Sequence, residues 1–182
     1  RTDIAFEGGA GDDTITGNGN TRIEFGGASE GVTADLGNQG VAQFISASQG
    51  TDTFTGVDAI VGSSFGDVLT GSNNAAGTEE SFRGRDGADV IDGLGGTDRV
   101  DYLLDTVGVT VDLGSDNQTV SVTVIDSSGS TDTLSGIENV LGSRHDDVLS
   151  GDANANVLRS IEGDDILDGR GVLPTCECIN LG

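Results

Sequence analysis

A nine-residue beat constrains this chain more than any other feature. In "GRDGADVIDGLGGTDRVDY", which begins at Gly84, Asp89 and Asp98 stand nine residues apart. Each is followed two residues later by an apolar residue, Ile91 or Val100, and preceded two residues earlier by Gly87 or Gly96. With Gly as position 1 and Asp as position 6, "GGAGDDTIT" (Gly8 to Thr16) fits G-G-x-G-x-D-x-U-x in full, where U is apolar. "GRDGADVID" and "GLGGTDRVD" fit with one glycine displaced or lost. "GSSFGDVLT" (Gly62 to Thr70) and "GSRHDDVLS" (Gly142 to Ser150) keep Asp and Leu but lose the second and fourth glycines. "GDANANVLR" puts Asn156 at position 6, and "SIEGDDILD" keeps Gly163, Asp165 and Leu167. The same phase places "TLSGIENVL" (Thr133 to Leu141) as a nonapeptide with Gly136 at position 4 and Glu138 at position 6.

A second period lies near eighty residues. "DTFTGVDAIVGSSFGDVLTG" from Asp52 matches "DTLSGIENVLGSRHDDVLSG" from Asp132, and "GVTADLG" from Gly31 matches "GVTVDLG" from Gly108. Fixed periods of this kind mean a solenoid or array. The expected organisation is a first unit at 1–77 with a fragmentary start and an irregular β insert about 26–52. A second unit follows at 78–157, then the start of a third at 158–173 and an irregular tail at 174–182. The first unit carries an insertion near Gly71 to Glu80. Val alternates with polar residues in "GVTVDLGSDNQTVSVTVID", the period-2 signal of strands.

The beat has a physical reading. Six Gly-rich residues make a turn, because Gly adopts positive φ without a Cβ clash. Three residues, x-U-x, make a short strand with its middle side chain inward. Two such units close a coil of eighteen residues, and stacked coils form two short-stranded parallel sheets about 4.8 Å per step. The fold class is therefore all-β, a parallel β-roll or β-solenoid with a thin Ile, Leu and Val core. Position-6 aspartates line up along the edges and repel one another. A hard cation between turns reverses the sign of that repulsion. Calcium fits, since it takes six to eight carboxylate and carbonyl oxygens in flexible geometry. Magnesium prefers to keep its waters, and zinc wants His or Cys.

Composition supports the same reading. There are 31 Asp+Glu against 8 Lys+Arg, a net charge of -23, and every basic residue is Arg. A chain this acidic excludes nucleic acid as a partner, because no basic patch meets phosphates. It also disfavours anionic membrane surfaces. No apolar run is long enough to insert in a bilayer and no signal peptide is visible. The chain lacks Met, so it is expected to be a piece of a longer parent chain.

These repeats resemble the RTX family, the calcium-binding nonapeptide repeats of secreted bacterial proteins. The resemblance implies several Ca²⁺ ions, each between turns eighteen residues apart. The first turn would give carbonyls at positions 2 and 4 and its Asp, the second carbonyls at 1 and 3 and its Asp. Carried onto this sequence, one site would use Ser143, His145 and Asp147 with Ser160, Glu162 and Asp165. Another would use Ser63, Phe65 and Asp67 with Gly84, Asp86 and Asp89. On the opposite edge Leu134, Gly136 and Glu138 would face Gly151, Ala153 and Asn156, with Glu and Asn departing from the pattern. Asp98 with Gly93 and Gly95, and Asp13 with Gly9 and Gly11, would also be ligands, each to a partner turn not fixed by spacing. The resemblance further implies export from the cell and folding outside it.

No catalytic set accompanies the repeats. His145 is the lone His, and H-E-x-x-H and G-x-S-x-G are absent. Cys176 and Cys178 are the only cysteines, too few for a disulfide framework or a four-cysteine zinc site. The expected function is a non-catalytic, calcium-binding module of a larger extracellular or surface protein. Two alternatives stand beside it. One is an accessory region of a secreted protease, lipase or alginate-modifying enzyme whose catalytic domain lies elsewhere. The other is an adhesin or a carbohydrate- or ice-binding β-solenoid.

Overall fold

The computed structural model describes residues 4–73, 78–114, 122–125, 129–170 and 176–180. Strands dominate, and they form two facing layers. The first layer is one eight-stranded parallel sheet. Its strands are β1 (Ile4–Phe6), β3 (Thr21–Glu24), β7 (Ala59–Val61), β9 (Glu79–Arg83), β11 (Thr97–Asp101), β15 (Asn139–Leu141), β17 (Asn156–Ser160) and β19 (Cys176–Asn180), stacked in chain order. The chain crosses to the opposite layer between each pair. That layer begins with a three-stranded sheet of β2 (Thr14–Thr16), β6 (Gly50–Thr55) and β5 (Gln43–Ser46). It continues as an eight-stranded sheet of β4 (Thr33–Asp35), β8 (Val68–Thr70), β10 (Val90–Asp92), β14 (Thr131–Ser135), β13 (Val122–Ile125), β12 (Thr110–Asp112), β16 (Val148–Ser150) and β18 (Ile166–Asp168). The expected parallel β-roll is what the chain forms.

Most short strands bury their middle residue, β1 and β18 at the ends of the stack excepted. Leu69, Ile91 and Leu149 are fully enclosed, while the flanking Val68, Val90 and Val148 face solvent. The parallel register keeps like positions together: Leu69 pairs with Ile91, and Leu149 with Leu167. The core is thus one side chain wide from each layer, widened by Phe54 and Phe82. Each such burial contributes about 1.5–3 kcal/mol.

The segment between β11 and β15 differs from a simple coil. β12 pairs forward with β16, β14 pairs back with β10, and β13 runs antiparallel between them. The first unit does the same with β4, β5 and β6. β4 pairs forward with β8, β6 back with β2, and β5 is antiparallel to β6. β4 and β5 are joined through the Gln43 side chain, which accepts from the Asp35 amide and donates to the Asp35 carbonyl. A short 3-10 turn, Leu36–Asn38, links them. The expected insert at 26–52 is therefore a built meander that returns the chain one level before it advances.

Two expectations need correction. Thr133 to Leu141 is not a full nonapeptide. β14 runs through Leu134, which points into the core at 1% exposure, so its place is in a strand and not in a turn. The turn that follows spans only Gly136 to Glu138, because Asp132 and Glu138 are six residues apart, not nine. The tail expected to be irregular contains β19, parallel to β17, since "CECIN" continues the coil stack. The insertion near Gly71 to Glu80 lies largely in 74–77, outside the described residues.

Truncation of Phe82 to Ala should cost about 3–5 kcal/mol, as for a large enclosed aromatic. Phe44→Ala, at a side chain 66% exposed, should cost within about 0.5 kcal/mol. Denaturant unfolding of both variants in saturating calcium checks the contrast.

Candidate metal centres

The turns of the roll stack into two edges, and an acid closes almost every turn. On the first edge the turn ending in Asp67 lies beside the turn ending in Asp89, and the Asp67 amide donates to Asp89 Oδ1 at 2.8 Å. The Asp89 amide donates in turn to Asp132 Oδ1 at 3.1 Å. Further along, the Asp147 amide donates to Asp165 Oδ1 at 2.9 Å. At the start of the chain the Asp13 amide donates to Asp52 Oδ1 at 3.0 Å, and the Gly11 amide to the Gln49 carbonyl. The second edge follows the same rule. The Thr21 amide donates to Asp58 Oδ1 at 2.8 Å, and the Asp98 amide to Glu138 Oε2 at 2.7 Å.

The carboxylate also folds back over its own turn, which explains the glycine at position 1. A methyl group on Gly84 would collide with Asp89, and one on Gly142 with Asp147. The position-1 glycine is there to admit the acid.

Most expected residues meet as the spacing implied. Ser63, Phe65 and Asp67 stand against Gly84, Asp86 and Asp89, with the backbone of Phe65 against Gly87. Ser143, His145 and Asp147 stand against Ser160, Glu162 and Asp165, with the backbone of His145 against Gly163. An Arg144–Glu162 ion pair joins these two turns at the surface. The partner of Gly9, Gly11 and Asp13 is the segment Gln49 to Asp52. Gly93, Gly95 and Asp98 lie between Asn73 on one side and Gly136 to Glu138 on the other. Glu138 also meets Asn156, whose side chain donates to the Glu138 carbonyl.

The repeat phase also puts Asp58 at position 6, as the counterpart of Glu138. Sequence reasoning missed Asp52, Asp132 and Glu80 as turn-ending acids. A signal was present, because each precedes an enclosed apolar residue by two: Phe54, Leu134 and Phe82. No glycine-rich turn stands before them to draw attention.

The turn acids fall into two kinds. Asp67 is satisfied within the protein: Oδ1 accepts from the Val32 amide and the Ser63 hydroxyl, and Oδ2 from the Ser63 amide. Asp147 repeats this with Val109 and Ser143. Asp13 and Asp165 instead each bury Oδ2 with no hydrogen-bond partner, and Asp98 buries both carboxylate oxygens so. An unmatched buried carboxylate is expensive. Among the described residues Arg22, Arg83, Arg99, Arg144 and Arg170 are engaged with other acids, Glu24, Asp101, Glu79, Glu162 and Asp112.

Electrostatics record the same tension. Burial, then Glu138 and Glu80, push the Asp98 carboxyl up to about 8; the nearby Glu80 amide offsets this only in part. Burial raises Asp52, Asp67 and Asp147 above the usual carboxylate range, against the hydrogen bonds each accepts. A hard cation suits this donor set: orphaned carboxylate oxygens on glycine-rich turns with carbonyls close by. Among the described residues no three acidic, His or Cys side chains converge on one point. Backbone oxygens would therefore complete any cage, as calcium permits and zinc does not.

A family model for the RTX calcium-binding nonapeptide repeat matches residues 6–21, 77–105 and 141–171, as four copies. These stretches hold under half of the chain and include the turns ending in Asp13, Asp89, Asp98, Asp147 and Asp165. No curated protein matches the chain.

The raised carboxyls fix the sign of a pH effect in the ion-free chain. Each binds a proton more readily folded than unfolded, so stability is greatest below the unfolded value near 3.8 and falls as pH rises toward about 8. In chelator, far-UV circular dichroism should therefore show more β structure at pH 5 than at pH 8, a difference that Asp98→Asn should flatten.

Proposed function

We propose that this chain, whose residues 6–21, 77–105 and 141–171 match the RTX calcium-binding nonapeptide repeat, is a non-catalytic module that folds on binding calcium after export. In this reading it forms one part of a larger extracellular or surface protein. The observation that carries the proposal is the set of orphaned carboxylate oxygens on Asp13, Asp98 and Asp165, each on a turn stacked beside another. Ca²⁺ would supply the positive charge and the extra coordination those oxygens lack. Ser143, His145 and Asp147 with Ser160, Glu162 and Asp165 would hold one ion, and Ser63, Phe65 and Asp67 with Gly84, Asp86 and Asp89 another. Gly9, Gly11 and Asp13 with Asp52, and Gly93, Gly95 and Asp98 on the second edge, would contribute further sites.

Calcium would then decide whether the chain folds. The core is one residue deep, and the chain carries a net charge of -23. Extracellular calcium modules bind at about 10⁻⁴–10⁻³ M, which separates the cytosol from the exterior. Metal-binding free energy is then folding free energy. RTX repeats are typical of secreted bacterial proteins, and among the described residues no helix is long and apolar enough to cross a membrane. The non-catalytic reading follows from the sequence, which sets no His or Cys nucleophile–base pair beside the turn acids.

Far-UV circular dichroism with chelator and with millimolar calcium tests the reading. At pH 8 a β spectrum should appear only with calcium; one that persists there after exhaustive chelation and dialysis would overturn it. Two variants separate ligation from bulk charge. Asp165→Ala should shift the calcium midpoint for folding upward. Asp164→Ala removes the same charge from an exposed neighbour and should change stability within about 0.5 kcal/mol. Equal midpoints for both variants and the parent would show that the turn acids are not ligands.

A further inference from the structure

Half of the chain's cations share one face. Four of its 8 basic residues lie on the outer side of the eight-stranded parallel sheet: Arg22 on β3, Arg83 on β9, Arg99 on β11 and Arg159 on β17. Each stands next to an enclosed residue, Ile23, Phe82, Val100 or Leu158, and so points away from the core. Among the described side chains of this face the acids are Glu24, Glu79 and Asp101. In a chain of net charge -23, cations here outnumber acids four to three.

The register sets these arginines in two equivalent pairs. Arg22 pairs with Ala59 on β7, and Val61 on β7 pairs with Arg83. Arg99 pairs with Asn139 on β15, and Leu141 on β15 pairs with Arg159. In each repeat unit one Arg therefore stands diagonally from another, two strands across and two residues along. At about 4.8 Å per strand and 3.3 Å per residue, the Cα atoms of a pair lie roughly 12 Å apart. Each pair frames a hollow on the sheet.

The two hollows differ in one contact. In the first unit Arg83 is held by Asp101 at 2.5 Å, and only about 30 Å³ stands open between Arg22 and Arg83. In the second unit no ion pair among the described residues involves Arg159, and about 180 Å³ stands open. Its floor is Val157 and Leu141, both half-buried. At the far end Glu79 accepts from Arg99 at 2.7 Å and from Asn139 at 3.2 Å, so its carboxylate is fixed in place.

We propose that this second hollow binds a carboxylate-bearing sugar. The Arg159 guanidinium takes the carboxylate through two parallel hydrogen bonds. Val157 and Leu141 receive the C–H face of the ring. Ring hydroxyls donate to Glu79 and accept from Arg99. The volume falls below the about 300–1,000 Å³ of sites for drug-sized ligands, which suits a single ring. An inorganic anion would use the guanidinium and leave the apolar floor uncovered. A neutral sugar would leave Arg159 without a counter-charge. The site lies on the sheet face and does not depend on which turns hold an ion.

An amide NMR titration of the whole chain, at saturating and fixed free calcium, tests the site with glucuronate as probe and glucose and sulfate as controls. Glucuronate should shift the amides of Leu141, Val157 and Arg159 saturably, and either control should bind at least tenfold more weakly. Arg159→Gln should weaken glucuronate at least tenfold and leave the calcium midpoint for folding unchanged. If Arg159→Gln fails to fold, Val157→Glu decides, since a carboxylate on the floor should weaken glucuronate to the same degree. Glucose or sulfate that binds as tightly as glucuronate overturns the proposal. Unaltered glucuronate affinity in the deciding variant overturns it too, as do shifts confined to the glycine-rich turns, where glucuronate would be held through calcium. A chain that folds without calcium overturns the calcium reading and leaves the outcome of this titration standing.

Discussion

One contact recurs through the stack: the acid that ends a turn accepts the backbone amide of the coil before it. It is made on both edges at 2.7–3.1 Å, by Asp52, Asp58, Asp67, Asp89, Asp132, Glu138, Asp147 and Asp165. A hydrogen bond to a charged group contributes about 1.5–3 kcal/mol, so this ladder fixes the register of the coils. The same ladder gathers like charges along a line and buries them. Alignment and repulsion come from the same atoms, and the rest of the structure answers to that conflict. The shallow core adds too little to settle it, and the paired arginines are committed elsewhere.

The two repeat units settle part of the conflict internally. In each, the turn that follows a meander loop carries Ser at position 2, and Ser63 and Ser143 cap their own aspartates. The amides of Val32 and Val109 complete the set. Those turns face an upstream segment that offers no turn-ending acid. The later turns, ending in Asp98 and Asp165, have no such serine and keep buried oxygens open. In each unit, therefore, the turn after the meander holds its own charge, and the turns ending in Asp98 and Asp165 do not.

The sequence revealed the period, the inward apolar positions and most stacked pairs, because glycine and aspartate are forced by backbone sterics and by the fold-back of the carboxylate. It revealed less where those constraints relax. Asp52 and Asp132 enter their strands from a meander, each with a single glycine upstream, Gly50 or Gly129, in place of the glycine run of the full motif. Glu138 follows a three-residue turn, which breaks the beat of nine and led Leu134 to be placed in a turn. The more general signature is shorter than nine: an acid or amide, any residue, then an enclosed apolar residue. Asn156 before Leu158 and Glu80 before Phe82 obey it outside the full motif. The serine caps left no trace in that signature, because Ser at position 2 reads as a lost glycine until its hydroxyl is seen on Asp67.

The meanders have a geometric consequence for the solenoid. One layer holds eight strands, while the layer facing it holds an eight-stranded and a three-stranded sheet. Every meander adds two strands to one layer and none to the other. The two layers of the solenoid therefore grow unequally, and the difference is set by how often a meander recurs.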